Sequence, residues 1–133
     1  MESLLLIDGF NVLHAGVLTG RDRANWWQTP AQRRLVERVE RFVDPLYPVI
    51  WIVFDRREQR TDEPDAPETV TSADARIRIF YAPSADDWIV AQVEQHTARC
   101  QVTVVTADRP LRDRVRRAGG QLLSPSRFLA ATS

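Results

Sequence analysis

The stretch Leu4-Leu5-Leu6-Ile7-Asp8-Gly9-Phe10-Asn11-Val12-Leu13 decides the fold. Four aliphatic residues run together and stop at an acid. A run this short is not a membrane span, and its lack of alternation reads as a strand buried on both faces. Asp8 then ends the strand, Gly9 lets the chain turn sharply, and Asn11 follows three residues later. Ligands in parallel α/β sheets bind at the carboxyl ends of the strands. The opening therefore places a carboxylate and an amide where a site is expected. Taken alone, the same residues also read as a plain strand and an Asp-Gly turn.

Working outward, the pattern repeats. Thr29-Pro30 reads as a helix start, with Thr29 as N-cap and Pro30 at the first helical position. Leu35, Val39 and Phe42 follow at helical spacing with Val36 and Val43 beside them, and Asp44-Pro45 ends the helix. Val49 to Phe54 is a second apolar run, again closed by an acid, Asp55. The polar residues 56–75 read as a long mobile loop. Ile77 to Tyr81 reads as a third strand near the sheet edge, because arginine interrupts it. Ser84 and Asp87 resemble a capping box opening a helix, with Ile89, Val93 and Thr97 on its inward face. Val102 to Val105 is a fourth strand, followed by Thr106-Ala107-Asp108 and a helix carrying Leu111, Val115 and Ala118. Gly119-Gly120 terminates that helix. Gln121-Leu122-Leu123 is a short fifth strand, and Ser124-Pro125 starts a last helix. Strands alternating with helices predict a mainly parallel sheet in a three-layer α/β/α sandwich, as one domain over residues 1–133.

Composition excludes several chemistries. All 18 basic residues are arginine, balanced by 18 acids. Without lysine there is no Gly-Lys-Ser/Thr phosphate loop and no Schiff base. A receiver-type acidic pocket also wants a lysine. A dehalogenase-type phosphotransfer site wants a second Asp two residues after the first, where Phe10 stands. Nucleophilic triads have only His14 and His96 to draw on. The single Cys100 cannot form an internal disulfide, and no apolar stretch nears the roughly 20 residues of a bilayer span. With no signal-peptide pattern at the start, the expected location is cytoplasmic.

Asp8, Asp55 and Asp108 follow strands, and Asp86 and Asp87 open the helix after the third strand. Each has a local explanation: a loop start, a helix dipole partner, an N-cap. Their coincidence at one sheet edge points further. Clustered carboxylates repel, a cation relieves the repulsion, and all-oxygen donors suit Mg²⁺ or Mn²⁺.

At these residues the chain resembles the PIN-like nucleases, and within them the NYN domains of the YacP-like kind. The matching pieces are Leu6 to Val12, Val53-Phe54-Asp55, Ser84 to Ile89 and Val104 to Arg109, with a similar ending from Ala118 to Leu129. The resemblance implies a PIN-like fold with strand order 3-2-1-4-5, which sets strands one and four side by side at the switch point. It implies a metal-dependent endoribonuclease leaving a 5′-phosphate and a 3′-hydroxyl, in some members acting on ribosome-associated messages. By the same resemblance Asp8, Asp86 and Asp108 match metal-binding acids, Asn11 matches the amide of the first motif, and Asp55 matches the acid after the second strand, expected to orient the metal-bound water or a second ion. Ser84, Val90 and Pro110 stand where relatives often carry further acids. One well-held ion, with a second recruited by the substrate phosphate and Asp87 as a compensating donor, is then the expectation.

A nuclease without net charge needs local positive patches. Arg109, Arg112, Arg114, Arg116 and Arg117 crowd one short helix that starts at the proposed site. Arg56, Arg57 and Arg60 follow Asp55, and Arg21 and Arg23 follow the first motif. Arginine pairs with phosphate in a bidentate way, and Trp26 and Trp27 offer stacking faces for single-stranded RNA. The tryptophans equally suit the core. Two competing functions stand beside the nuclease: a non-catalytic RNA- or ribosome-binding module, and a toxin-like protein held by a partner at Trp26 and Trp27. A homo-oligomer is compatible with each.

Overall fold

A computed structural model describes residues 3–18, 23–57 and 69–132. Its centre is the first strand, β1 (Ser3–Asp8), in which Leu5, Leu6 and Ile7 have no solvent exposure. β1 pairs in parallel with β2 (Val49–Asp55) on one side and β4 (Gln101–Val105) on the other. β3 (Ile77–Ala82) extends the sheet beyond β2, and β5 (Gln121–Leu123) extends it beyond β4. The order is β3-β2-β1-β4-β5 with all pairs parallel. A strand with neighbours on both sides and helices on both faces has no solvated side, which explains its unbroken aliphatic run.

The helices are α1 (Gly9–Gly16), α2 (Thr29–Glu40), α3 (Ala85–His96), α4 (Arg109–Arg117) and α5 (Pro125–Ala130). Two apolar cores lie on the two faces of the sheet. One joins α1, α2 and α5 to Leu5, Ile7, Ile50, Ile52 and Phe54. The other joins α3 and α4 to Leu4, Leu6, Val53, Val102 and Val104. The alternation along β1, odd residues to one core and even residues to the other, is the period of two of a pleated strand. The three-layer α/β/α sandwich with order 3-2-1-4-5 is therefore present.

Local differences from the sequence expectation have physical causes. The Asp8-Gly9 step is not a free turn: Asp8 is the N-cap of a helix and Gly9 its first residue. α1 begins at once, because Gly9 lets the backbone lie against β2: a Cβ there would stand 2.6 Å from Phe54 Cδ1 and 2.8 Å from the Val53 carbonyl. The N-cap of α2 is Gln28, so Thr29 and Pro30 are its first two residues. That helix stops at Glu40, not at Asp44-Pro45. The Arg76 guanidinium, just before β3, donates to the carbonyls of Glu40 and Phe42 at 3.3 and 2.7 Å, closing the helix end. Phe42 stays in the core, whereas Val43 is 80% exposed rather than inward. Thr97 is the C-cap of α3 rather than part of its buried stripe. Of the long polar loop, residues 58–68 lie outside the described residues, as do Arg21 and Arg60. The loop's end is docked: the Val70 N–H donates to the Tyr81 hydroxyl at 2.8 Å, and that hydroxyl donates to buried Gln32.

Candidate active site

Parallel pairing brings the ends of β1, β2, β3 and β4 to one edge, and the acids arrive there together. Asp8 closes β1 and Asp55 closes β2. Asp86 stands in the first turn of α3, and Asp108 is the N-cap of α4. Asp8, Asn11, Asp55, Arg57, Asp86 and Asp108 all line one open cleft of about 280 Å³. His14, on the next turn of α1, completes its wall.

The acids differ in how the fold holds them. Asp8 is 8% exposed, and its Oδ2 accepts a hydrogen bond from Thr106 Oγ1 at 3.0 Å. The same hydroxyl accepts from the Asp108 N–H at 3.1 Å. Thr106 is fully buried, so it links the first and fourth strand ends from beneath. Asp108 Oδ1 accepts from the Leu111 N–H at 3.0 Å, a conventional N-cap that also aims the carboxylate at the cleft. Asp55 is committed inside the protein. Its Oδ1 accepts from the Arg57 N–H at 2.8 Å. Its Oδ2 accepts from the Ala85 N–H at 3.0 Å and from Arg57 Nη2 at 3.4 Å. Asp55 thus ties the end of β2 to the start of α3.

Asn11 bridges α1 to the turn before α4. Its side-chain oxygen accepts from the Ala107 N–H at 2.9 Å. A backbone N–H can only donate, so the amide orientation is settled and the NH₂ group is the end available as a donor. Ser84 caps α3 by accepting from the Asp87 N–H at 3.3 Å, and it also accepts from Arg57 Nη2 at 3.2 Å. Arg57 therefore spans Asp55 and Ser84 while its side chain stays 68% exposed at the cleft rim. The bond and charge of Asp55 hold the Arg57 guanidinium protonated, above its ordinary range.

Electrostatics single out Asp86. Burial, then the charges of Asp108 and Asp55, raise its carboxyl above the ordinary range, against the weaker pull of Arg114 and Arg57. Asp87 behaves oppositely. It is exposed and paired with Arg114 at 2.9 Å, and that bond lowers it. The donor set is right in kind for a hard divalent cation: oxygens only, with a repulsion that a cation would relieve. Among the described residues, however, no three His, Cys, Asp or Glu side chains stand together as a ready coordination sphere. The oxygen set is at one edge without being closed around a point.

The remaining expected residues fall in different places. Arg109 and Arg112 line a second groove beside the acid cleft, with Ala107 and Ser124. Arg114 is tied to α3 through Asp87, and Arg116 lies 3.8 Å from Asp113 on its own helix. Arg56 sits over the Tyr81 ring at 5.1 Å. Trp26 and Trp27 line neither cleft. Both are half-buried against the core, where Trp26 meets Phe10 edge-on at 5.0 Å and Trp27 gives its carbonyl to Gln32. Packing, the second of the two roles open to them, is what the fold uses. Thr106 is the site residue that the sequence did not single out; its signal, a hydroxyl between a β-rich run and an acid, also suits any strand. His14, expected near the site from the sequence, is carried to the cleft wall by the helix at residues 9–16, its ring 4.8 Å from Trp26.

With this geometry in view, comparison with known families is decisive. The YacP-like NYN domain matches residues 5–133. The chain belongs to the YacP-like NYN family. That places it in a nuclease family of the ribonuclease type. Two solved structures share the fold. Rae1 (YacP) from Bacillus subtilis superposes with a TM-score of 0.72 at 18% identity, over 97% of this chain and 72% of that one. Its W164L mutant gives 0.73 at 18% identity, over 99% and 75%. No curated protein matches the chain. Among the described residues no helix is long and apolar enough to cross a membrane.

Proposed function

We propose that this YacP-like NYN protein is a divalent-metal-dependent endoribonuclease working at the Asp8–Asp86–Asp108 edge. The observation that carries the reading is the gathering of four acids, from the ends of four separate strands or the helix turns just after them, in one cleft with a single arginine at its rim. Asp8, Asp86 and Asp108 would hold the ion, Mg²⁺ or Mn²⁺. When bound, such an ion supplies charge stabilisation to the phosphate under attack.

The chain's own groups do the positioning. Thr106 orients Asp8 and keeps its spacing from Asp108. Asn11 clamps the turn that carries Asp108 and turns its NH₂ toward the cleft as a donor for a phosphate or carboxylate oxygen. Arg57 offers a guanidinium at the rim, already held by Asp55 and Ser84, for a phosphate oxygen. Asp55 acts by building that rim and fixing the start of α3, rather than by touching the water.

The test is cleavage of a single-stranded RNA under Mg²⁺ or Mn²⁺ titration, comparing wild type with Asp8→Asn and Asp108→Asn. Asn caps helices about as well as Asp, so Asp108→Asn removes the charge and keeps the fold. Each change is expected to cut the rate at least about a hundredfold, in line with the loss of a metal-site group. Rates unchanged by both would overturn the site. A second reading, an RNA-binding module without catalysis, draws on the carboxylates not being gathered around one point and on Ser84, Val90 and Pro110 in place of acids. It predicts RNA binding with no metal-dependent cleavage in the wild type.

A further inference from the structure

A second depression adjoins the acid cleft and has a different chemistry. It measures about 410 Å³ and is lined by Ala15, Ala107, Arg109, Arg112, Ser124 and Ser126. The two hollows meet along consecutive residues. His14 faces the acids and Ala15 the groove, while Asp108 faces the acids and Ala107 and Arg109 the groove. The change from acidic to basic lining falls within one residue of the β4–α4 turn.

Charge pairing separates the groove arginines from Arg114 and Arg116 of the same helix, though not from Arg117 at its far end. Arg114 and Arg116, farther along α4, pair with Asp87 and Asp113. Among the described residues Arg109 and Arg112 pair with no acid. Arg112 is held in place by donating to the Thr106 carbonyl at 3.3 Å, which leaves most of its five N–H donors for another acceptor. Across the groove, Ser124 and Ser126 stand with their hydroxyls 3.4 Å apart. Ala15, Ala107 and Pro125 complete the lining. Two guanidinium groups and two hydroxyls among small side chains match the oxygens of a phosphodiester. They offer no acidic group to repel one and no aromatic face to grip a base.

Resting on the nuclease reading of the adjoining cleft, we propose that this groove is a backbone subsite. It binds an internucleotide phosphate of the single strand next to the linkage lying over the acids. The strand then runs across the sheet edge from the Arg57 rim, over Asp8 and Asp108, to Arg109 and Arg112. This gives a chain of zero net charge a way to hold a polyanion: guanidinium groups stand on both flanks of the acids.

The experiment measures binding without cleavage. A fluorescent single-stranded oligoribonucleotide with a 5′-hydroxyl is titrated with the full chain by anisotropy, in chelator, across a salt series. Arg109→Gln/Arg112→Gln is expected to weaken binding roughly tenfold and to lower the salt slope by about 1.4, two contacts at ~0.7 each. Arg109→Gln alone, an exposed change that leaves the Thr106 contact intact, is expected to give about half the slope change. Arg99→Gln, at the opposite end of the sheet before β4, carries the same charge change and is expected to do nothing. Replacing linkages one at a time with neutral methylphosphonates should then reveal one linkage whose replacement erases the difference between wild type and the double variant. An unchanged salt slope overturns the proposal, as does an equal effect of Arg99→Gln. So does a loss seen only with a 5′-phosphorylated strand, which would make the groove an end-binding pocket. The two readings fail separately. Loss of cleavage in Asp8→Asn with no slope change in the arginine variants removes only the subsite. The expected slope change with cleavage indifferent to Asp8→Asn removes only the nuclease site.

Discussion

Replacing Thr106 with Val tests whether one buried hydroxyl joins the two central acids. The substitution keeps the β-branched shape and removes a group that donates to Asp8 Oδ2 and accepts from the Asp108 N–H. A hydrogen bond to a charged partner contributes about 1.5–3 kcal/mol, and a neutral one about 0.5–1.5 kcal/mol. The added methyl offsets roughly 0.8 kcal/mol by apolar burial. The net loss is then about 2 kcal/mol, because Thr106 is fully buried and water cannot take over its bonds. For a chain of this length that corresponds to a fall in Tm of roughly 6–10 °C. Thr106→Ser keeps both bonds and loses only a methyl, at a cost of about 1 kcal/mol. Thermal and urea unfolding of the two variants should rank Val below Ser. A double-mutant cycle of Thr106→Val with Asp8→Asn should show coupling of about 1 kcal/mol or more, since the residues are in contact. If Thr106→Val is as stable as Thr106→Ser and the cycle is additive, the hydroxyl does not connect the acids, and the positioning argument for Asp8 falls.

Other expectations follow from single contacts. Asp86 has a folded-state carboxyl raised above its unfolded value, so the folded state binds its proton more tightly. Its contribution is therefore unfavourable above the folded value and is relieved as pH falls through it. Metal-free Asp86→Asn should be more stable than wild type at neutral pH, and the gain should vanish on acidification, as read by melts from neutral to acidic pH. A gain independent of pH would refute the electrostatic cause. Saturating Mg²⁺ or Mn²⁺ should raise the wild-type Tm by several degrees through binding to the folded state, and Asp8→Asn should lose that rise. Gly9→Ala should cost about 1–3 kcal/mol, because its Cβ meets the Val53 carbonyl as well as the movable Phe54 ring. Denaturation that matches wild type would remove the close-approach argument. Asp55→Ala should cost about 3 kcal/mol by stranding the N–H groups of Arg57 and Ala85, one of them buried.

What the sequence made legible was whatever repeats locally. An unbroken aliphatic run must be a strand covered on both faces, so Leu4 to Ile7 announced the centre of a parallel sheet. Acids at or just after the ends of the first, second and fourth runs announced the edge where Asp8, Asp55 and Asp108 would meet. Helix starts were legible where a side chain satisfies a backbone N–H, as at Ser84, Asp108 and Ser124, because capping is a contact over three residues. The helix of residues 9–16 was not legible. Its start depends on Gly9 pressing against Phe54, a contact 45 positions away that no local pattern encodes. The early stop of α2 likewise depends on Arg76 reaching back to Glu40 and Phe42. The functional consequence is that the acids could be named from the chain, whereas their holders could not. Thr106 acts across 98 positions on Asp8, and Asn11 across 96 on Ala107. The identity of the acids is written at strand ends. Their geometry is written in long-range hydrogen bonds between turns, so on the proposed nuclease reading a relative that keeps every acid but loses Thr106 or Asn11 is expected to cut poorly.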